Sequence, residues 1–156
     1  MKNLMKKCFV SIVTLSSLMV LLFSCATPSR LEDYQPTSAR EKEVFEVLSK
    51  IVEARENRDF EAYMAFFNDD AKIFKRAHPG SNNGSFLSKQ QYAESPGEEF
   101  GIRPMLSDIQ ITFGENIAIL KCWNKYREVR SHWKLDLEKE KGEWRVIKYD
   151  YSPYRK

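Results

Sequence analysis

From Ser38 onward, apolar residues recur first at helical and then at strand spacing. Val44, Val47, Leu48, Ile51 and Val52 fall three or four positions apart, which places them on one helix face. Ser38, with Glu41 three residues later, forms a capping box ahead of them, so the pattern predicts an amphipathic helix over 38–56. Asn57 can close that helix and Asp59 can cap a second, whose Phe60, Tyr63, Met64 and Phe67 share a face. Two helices joined by so short a turn are expected to pack as a hairpin. Asn68-Asp69-Asp70 then reads as a turn and 72–75 as a strand. His78 to Gly84 reads as a turn-rich loop, and Ser88 as the cap of a short third helix through Glu94.

The remainder alternates with period two. Residues 105–113, 116–127, 130–139 and 143–151 form four such runs, broken by Gly114-Glu115 and Lys141-Gly142, and predict a meander of four antiparallel strands. If Phe113 faces Asn116 across the first turn, one face gathers Ile109, Ile111, Phe113, Ala118, Leu120, Cys122, Asn124 and Tyr126. Pairing Asn124 with Trp133 continues that face through Ser131, Trp133, Leu135 and Leu137. A slip of one residue would invert these sets. The opposite face shows Gln110, Thr112, Ile117, Ile119, Lys121 and Trp123, apolar enough to suggest a homodimer surface.

Ahead of this folded region stand Lys2, Lys6 and Lys7, an apolar run from Phe9 to Phe23, and the tetrad Leu22-Phe23-Ser24-Cys25. A basic segment, about 15 apolar residues and a small residue before a cut are the parts of a signal peptide, and the run is short for a membrane span. The tetrad resembles the lipobox of bacterial lipoproteins. That resemblance implies a diacylglyceryl thioether and N-acylation on Cys25, and several acyl chains hold a protein to a bilayer where one is marginal. The alternatives are an ordinary signal peptide cut near Ala26 or an uncleaved anchor. The expected organisation is a leader over 1–24, a Pro28- and Pro36-containing flexible tether over 25–37, and one domain over 38–156. The chain is then exported and lipid-anchored in the cell membrane or, because Ala26 rather than aspartate follows the cysteine, the outer membrane of a host that has one.

Subtracting the leader changes the charge. Of the 25 Lys and Arg, three lie in the leader, as do none of the 22 Asp and Glu, so the mature chain is balanced. It offers no electrostatic case for a nucleic-acid partner, and the acids near Lys121, Lys125, Arg127, Arg130 and Lys134 dilute any basic stripe. Cys8 leaves with the leader and Cys25 is acylated, so Cys122 remains as a buried structural thiol with no intramolecular partner. With two histidines and no CxxC or HExxH, neither a metal nor a cofactor is expected.

A family resemblance rests on Ile51-Val52-Glu53-Ala54, then Arg58-Asp59-Phe60-Glu61-Ala62-Tyr63, then Phe66-Phe67-Asn68-Asp69-Asp70-Ala71, and the closing Gly142-Glu143-Trp144-Arg145-Val146-Ile147. Over 38–151 the chain resembles the nuclear transport factor 2-like superfamily, in particular its SnoaL-like branch. The resemblance implies an α+β cone: a helical hairpin and a short third helix packed on a curved antiparallel sheet, with a pocket at the wide end and dimers often formed through the outer face. Such folds host isomerases, dehydratases, binding modules and structural modules, so function must come from the site. Ketosteroid isomerases of this superfamily use an aspartate base with a tyrosine and a protonated aspartic acid as oxyanion donors. Aligned on Asn68-Asp69-Asp70-Ala71, this chain has Lys75, Ile51 and about Ser131 in those places, so that chemistry is absent.

The inward positions still offer ligand-binding candidates in Tyr63, Asn124, Tyr126, Ser131 and Trp133, with Arg103 at the rim. Aromatics with a few converging polar groups suit a small apolar ligand. Asp150 or His78 could serve as a general base, with Tyr126 or Tyr63 as donor. Asp150 faces Trp133 if the last hairpin turns Val146 inward, and faces solvent in the other register. Two readings follow: a non-enzymatic ligand-binding or assembly module of the cell envelope, or an envelope enzyme of isomerase or lyase type.

Overall fold

The computed structural model describes residues 30–77, 83–95, 100–126 and 129–153, with the side chains of Tyr126, Val129, Ser152 and Pro153 outside that description. The leader, Cys25 and His78 also lie outside the described residues.

The first helix, α1 (Ala39–Glu56), starts where its sequence signal stands. Ser38 accepts a hydrogen bond from the Glu41 N–H, satisfying one of the donors that a helix start leaves open. The Glu41 carboxylate reaches back to the N–H and hydroxyl of Thr37. Val44, Leu48, Ile51 and Val52 form the buried stripe. Asp59 caps α2 (Phe60–Ala65) by accepting from the Ala62 N–H. This second helix is two residues shorter than its apolar spacing suggests, because Phe67 already begins a strand.

That strand, β1 (Phe67–Arg76), absorbs Asn68, Asp69 and Asp70, which the sequence presents as a turn. They fall where its pairing with β6 shifts register between Phe67 and Lys72, so turn-forming side chains are accommodated in an irregular stretch of ladder. β2 (Gly84–Ser88) pairs antiparallel with β1 and was not apparent from the sequence. α3 (Lys89–Glu94) follows with the full capping box of Ser88 and Gln91. The meander then runs through β3 (Met105–Phe113), β4 (Ile117–Tyr126), β5 (Val129–Glu140) and β6 (Glu143–Pro153). Lys141 and Gly142, both at positive φ (51° and 89°), make the two-residue turn between β5 and β6, the geometry that matches strand twist in a hairpin.

All six strands form one open sheet in the order β2-β1-β6-β5-β4-β3. The sheet is mixed rather than wholly antiparallel, because β1 lies parallel to β6. Those two strands are joined through most of the chain, and a parallel pair needs such a long connection. The helices cover one face, and Leu120, Leu135, Leu137 and Val146 are buried beneath them with Leu48 and Ile73.

Two expected pairings shift by two residues, which leaves every side chain on its predicted face. Phe113 pairs with Ala118 rather than Asn116, and Asn124 with Ser131 rather than Trp133. One further residue joins the inward face. A bulge between Ser107 and Gln110, with Asp108 at φ 54°, turns Leu106 inward with Ile109. Phe113 ends up exposed against Trp144 and the Arg40 guanidinium.

The tether expected to run to Thr37 is docked from Arg30. Arg30 bridges to Ser107 on the edge strand β3, and Leu31–Asp33 form a short 3-10 turn. The Tyr34 ring then lies 4.8 Å from Phe45. Its phenol donates to Glu41, and burial together with that carboxylate raises its pKa.

Candidate functional site

The inward face of β4, β5 and β6 carries the polar groups of interest. Trp133 is fully buried, and Asn124 and Ser131 are 4% and 1% exposed. They occupy neighbouring ladder positions, Asn124 opposite Ser131 and Cys122 opposite Trp133. The Ser131 hydroxyl donates to the Asn124 backbone carbonyl at 3.4 Å. The Trp133 Nε1 donor and the Asn124 Oδ1 acceptor have no hydrogen-bond partner among the described residues. Buried polar atoms are almost always paired with protein or water, so each such atom calls for an explanation.

Around them stands an aromatic wall that the sequence reading missed. Tyr149 and Tyr151 meet Trp133 edge-to-face, with centroids 5.5 and 6.0 Å apart. They face inward because the β5–β6 ladder shifts by one residue between Asp136 and Leu137. Val146, before the shift, is inward as one predicted register required, yet Asp150, beyond it, is not. It pairs with Lys134 and lies on the outer face, which removes it as a base directed at Trp133.

Two guanidiniums complete the arrangement. Arg55 is 6% exposed and lies 4.9 Å over Trp133. It continues the stripe Val44, Leu48, Ile51 at helical spacing, and that periodicity was the available signal for it. Arg76, at the end of β1, lies 4.1 Å over the Tyr151 ring. Its Nε and Nη2 are buried with no hydrogen-bond partner among the described residues. Arg55, Trp133, Tyr151 and Arg76 thus form one contiguous run of cation-over-ring and ring-to-ring contacts.

The other sequence candidates are placed elsewhere or outside the description. Tyr63 is buried against Phe67 and Phe100 in the aromatic cluster beneath α2. Arg103 is exposed and pairs with Glu32 and Glu56 at 3.0 and 3.6 Å, so it acts as a clasp between the 3-10 turn and the end of α1. Tyr126 ends β4 with its side chain outside the described residues, and so does all of His78. Cys122 is buried, and burial pushes its pKa up to about 12, which keeps it an unreactive thiol. On the outer face His132 meets Trp123 edge-to-face at 5.3 Å. Burial, with Lys121 and Lys134 nearby, lowers its pKa, and Asp150 opposes that effect.

A separate cleft of about 590 Å³ opens at the β5–β6 hairpin tip, lined by Phe67, Asp69, Lys89, Glu140 and Arg145 among others. Several of its polar groups pair with one another: Lys89 with Asp69 at 3.0 Å, Asn68 with Glu140 at 3.1 Å, and Arg145 with Glu143 and the Ala65 carbonyl. It lies at the Phe67 end of β1. Arg76 stands at the other end of that strand. Among the described residues, no group of three His, Cys, Asp or Glu could hold a metal, and no helix is long and apolar enough to cross a membrane.

No family model and no curated protein matches the sequence. Solved structures do match. A nuclear transport factor 2-like protein of unknown function from Pseudomonas putida superposes with TM-score 0.62 at 17% identity, covering 76% of this chain and 89% of its own. A second such protein, from Silicibacter pomeroyi, gives 0.58 at 18% identity, covering 77% and 100%. A protein of unknown function with a cystatin-like fold from Nostoc punctiforme gives 0.61 at 16% identity, covering 77% and 96%. At these identities the likeness is one of architecture: the chain has the nuclear transport factor 2-like fold, of α+β class, with three helices packed on an open, mixed six-stranded sheet.

Proposed function

We propose that the chain is a lipid-anchored protein of the cell envelope whose domain binds a small, largely apolar molecule without transforming it. The observation that carries the binding reading is the pair of buried, unpartnered polar atoms, Trp133 Nε1 and Asn124 Oδ1, set in an aromatic wall. A few convergent polar groups among aromatic surfaces are the make-up of a small-molecule site. The non-enzymatic half is supported by the outward position of Asp150, since a general base must reach the proton that it removes. The anchor rests on the lipobox-like Leu22-Phe23-Ser24-Cys25 and its basic, apolar leader. By that reading Cys25 stands five residues before Arg30, where the chain docks on β3, which holds the domain within about 20 Å of the acylated residue.

Native mass spectrometry of the full chain purified from its own host tests the binding reading. A bound small molecule that is lost on Trp133→Ala supports it, whereas an empty dimer favours an assembly module formed through the half-buried Ile117, Ile119 and Trp123 of the outer face. Metabolic palmitate labelling of wild type and Cys25→Ala tests the anchor, and equal labelling of the two would remove it.

A further inference from the structure

We propose that the bound molecule is a carboxylate on a planar apolar body, and that Arg76 takes its carboxylate. This rests on the binding reading above and names its ligand class.

The argument starts from which atoms of Arg76 are unmet. Nε and Nη2 are both buried without a hydrogen-bond partner among the described residues. These two nitrogens share one edge of the guanidinium, and their N–H bonds run parallel. That edge matches the two oxygens of a carboxylate as a fork, the geometry that makes such pairs short, strong and selective. Water can accept from these donors as well, but a carboxylate meets them with two separate oxygens and also supplies a countercharge to a half-buried guanidinium. The ring of Tyr151 beneath Arg76 contributes attraction but accepts neither in-plane N–H.

The neighbours specify the rest of the molecule. Tyr151 and Tyr149, two residues apart on β6, both meet Trp133 edge-to-face, so the adjoining surface is aromatic and suits a flat apolar body. Trp133 Nε1 is a further buried donor without a partner, and Asn124 Oδ1 a buried acceptor. A molecule with one acceptor and one donor beside its carboxylate, such as a hydroxy- or amino-substituted aromatic acid, would satisfy the full set. Lys75, next to Arg76 in sequence, is not available for this role, because its Nζ donates to the Ser95 carbonyl and hydroxyl at 2.6 Å each.

The test titrates the full chain, purified in a neutral maltoside detergent, with benzoate and with its uncharged isostere benzamide by isothermal calorimetry. Benzoate is expected to bind at least tenfold more tightly than benzamide. Arg76→Lys keeps a cation over Tyr151 but lacks the fork, and it is expected to weaken benzoate at least tenfold while leaving benzamide unchanged. Because Arg76 Nε and Nη2 make no internal hydrogen bond to lose, the unliganded Arg76→Lys protein should melt no lower than wild type, and that separates a ligand role from a structural one. Equal binding of benzoate and benzamide, both abolished by Trp133→Ala, would overturn the carboxylate assignment and leave the binding reading standing. Binding of neither, together with an empty protein from the native host, would overturn both. A melting temperature lowered by Arg76→Lys with benzoate affinity intact would make Arg76 a structural residue.

Discussion

Replacing Asn124 with leucine should make this protein more stable. The side chain is 4% exposed, and its Oδ1 has no partner among the described residues. A buried acceptor left unmet costs about 1–3 kcal/mol. Leucine has a similar branched outline, carries no polar atom and suits a strand interior better than asparagine does. It should therefore recover roughly 1–3 kcal/mol. For a folded part of this size each kcal/mol moves the melting midpoint by about 4 °C, which predicts a rise of about 4–12 °C. Thermal melts followed by far-ultraviolet circular dichroism would read the rise. Urea titration should show a higher midpoint at unchanged slope, the mark of a stability change without altered compactness. The same variant should lose the bound molecule, since groups held unsatisfied for a ligand trade stability for function. A fall of more than about 1 kcal/mol would refute the reasoning, because only an amide whose hydrogen bonds are already met in the unliganded protein costs that much to remove.

Leu135→Ala, at a position 1% exposed between β4 and β6, should lose about 2–5 kcal/mol in urea unfolding through the cavity it leaves. Gly142 sits at φ +89° with nothing within 4 Å of where a Cβ would stand. Gly142→Ala should therefore cost about 1–2 kcal/mol from backbone conformation alone, and a neutral result would mean that the turn rearranges. His132 has its pKa lowered in the fold, so the unfolded chain takes up its proton first. Its contribution is fully present above the ordinary histidine value of about 6.5 and is lost as pH falls from there to the lowered value. Melting temperature should decline over that window, and His132→Gln should flatten the decline.

What was legible in the sequence was local chemistry. Ser38 before Glu41, Asp59 before Phe60 and Ser88 before Gln91 each mark a helix start, and each makes its capping hydrogen bond. A cap is decided within four residues, and a sequence displays that range directly. The faces of β4 and β5 were equally readable, because errors of two residues in pairing do not change which side a residue occupies. Pairings between distant segments were not readable. Nothing near Phe67 announces that it will lie beside Val146 in a parallel ladder, and β2 exists only because β1 offers it an edge. Of the site, Asn124, Ser131 and Trp133 followed from alternation. Arg55 was missed although its spacing from Ile51 and Leu48 is helical, because a charge on an apolar stripe reads as an interruption. Tyr149 and Tyr151 were missed for a different reason, the single-residue shift in β6.

That shift also decides the electrostatics of the interior. Had the Leu137–Val146 register continued along the strand, Lys148 and Asp150 would have turned inward in place of Tyr149 and Tyr151. An inward Asp150 would have stood opposite Trp133, at the rung that Tyr151 now fills beneath Arg76. The bulge between Asp136 and Leu137 instead sends Asp150 to the outer face beside Lys134, where Asp150 also acts on His132. It substitutes an aromatic ring that can face a cation without hydrogen-bonding its edge. One inserted residue thus puts a ring where alternation would have put a carboxylate, and the carboxylate that we propose for the ligand answers to the register of a hairpin.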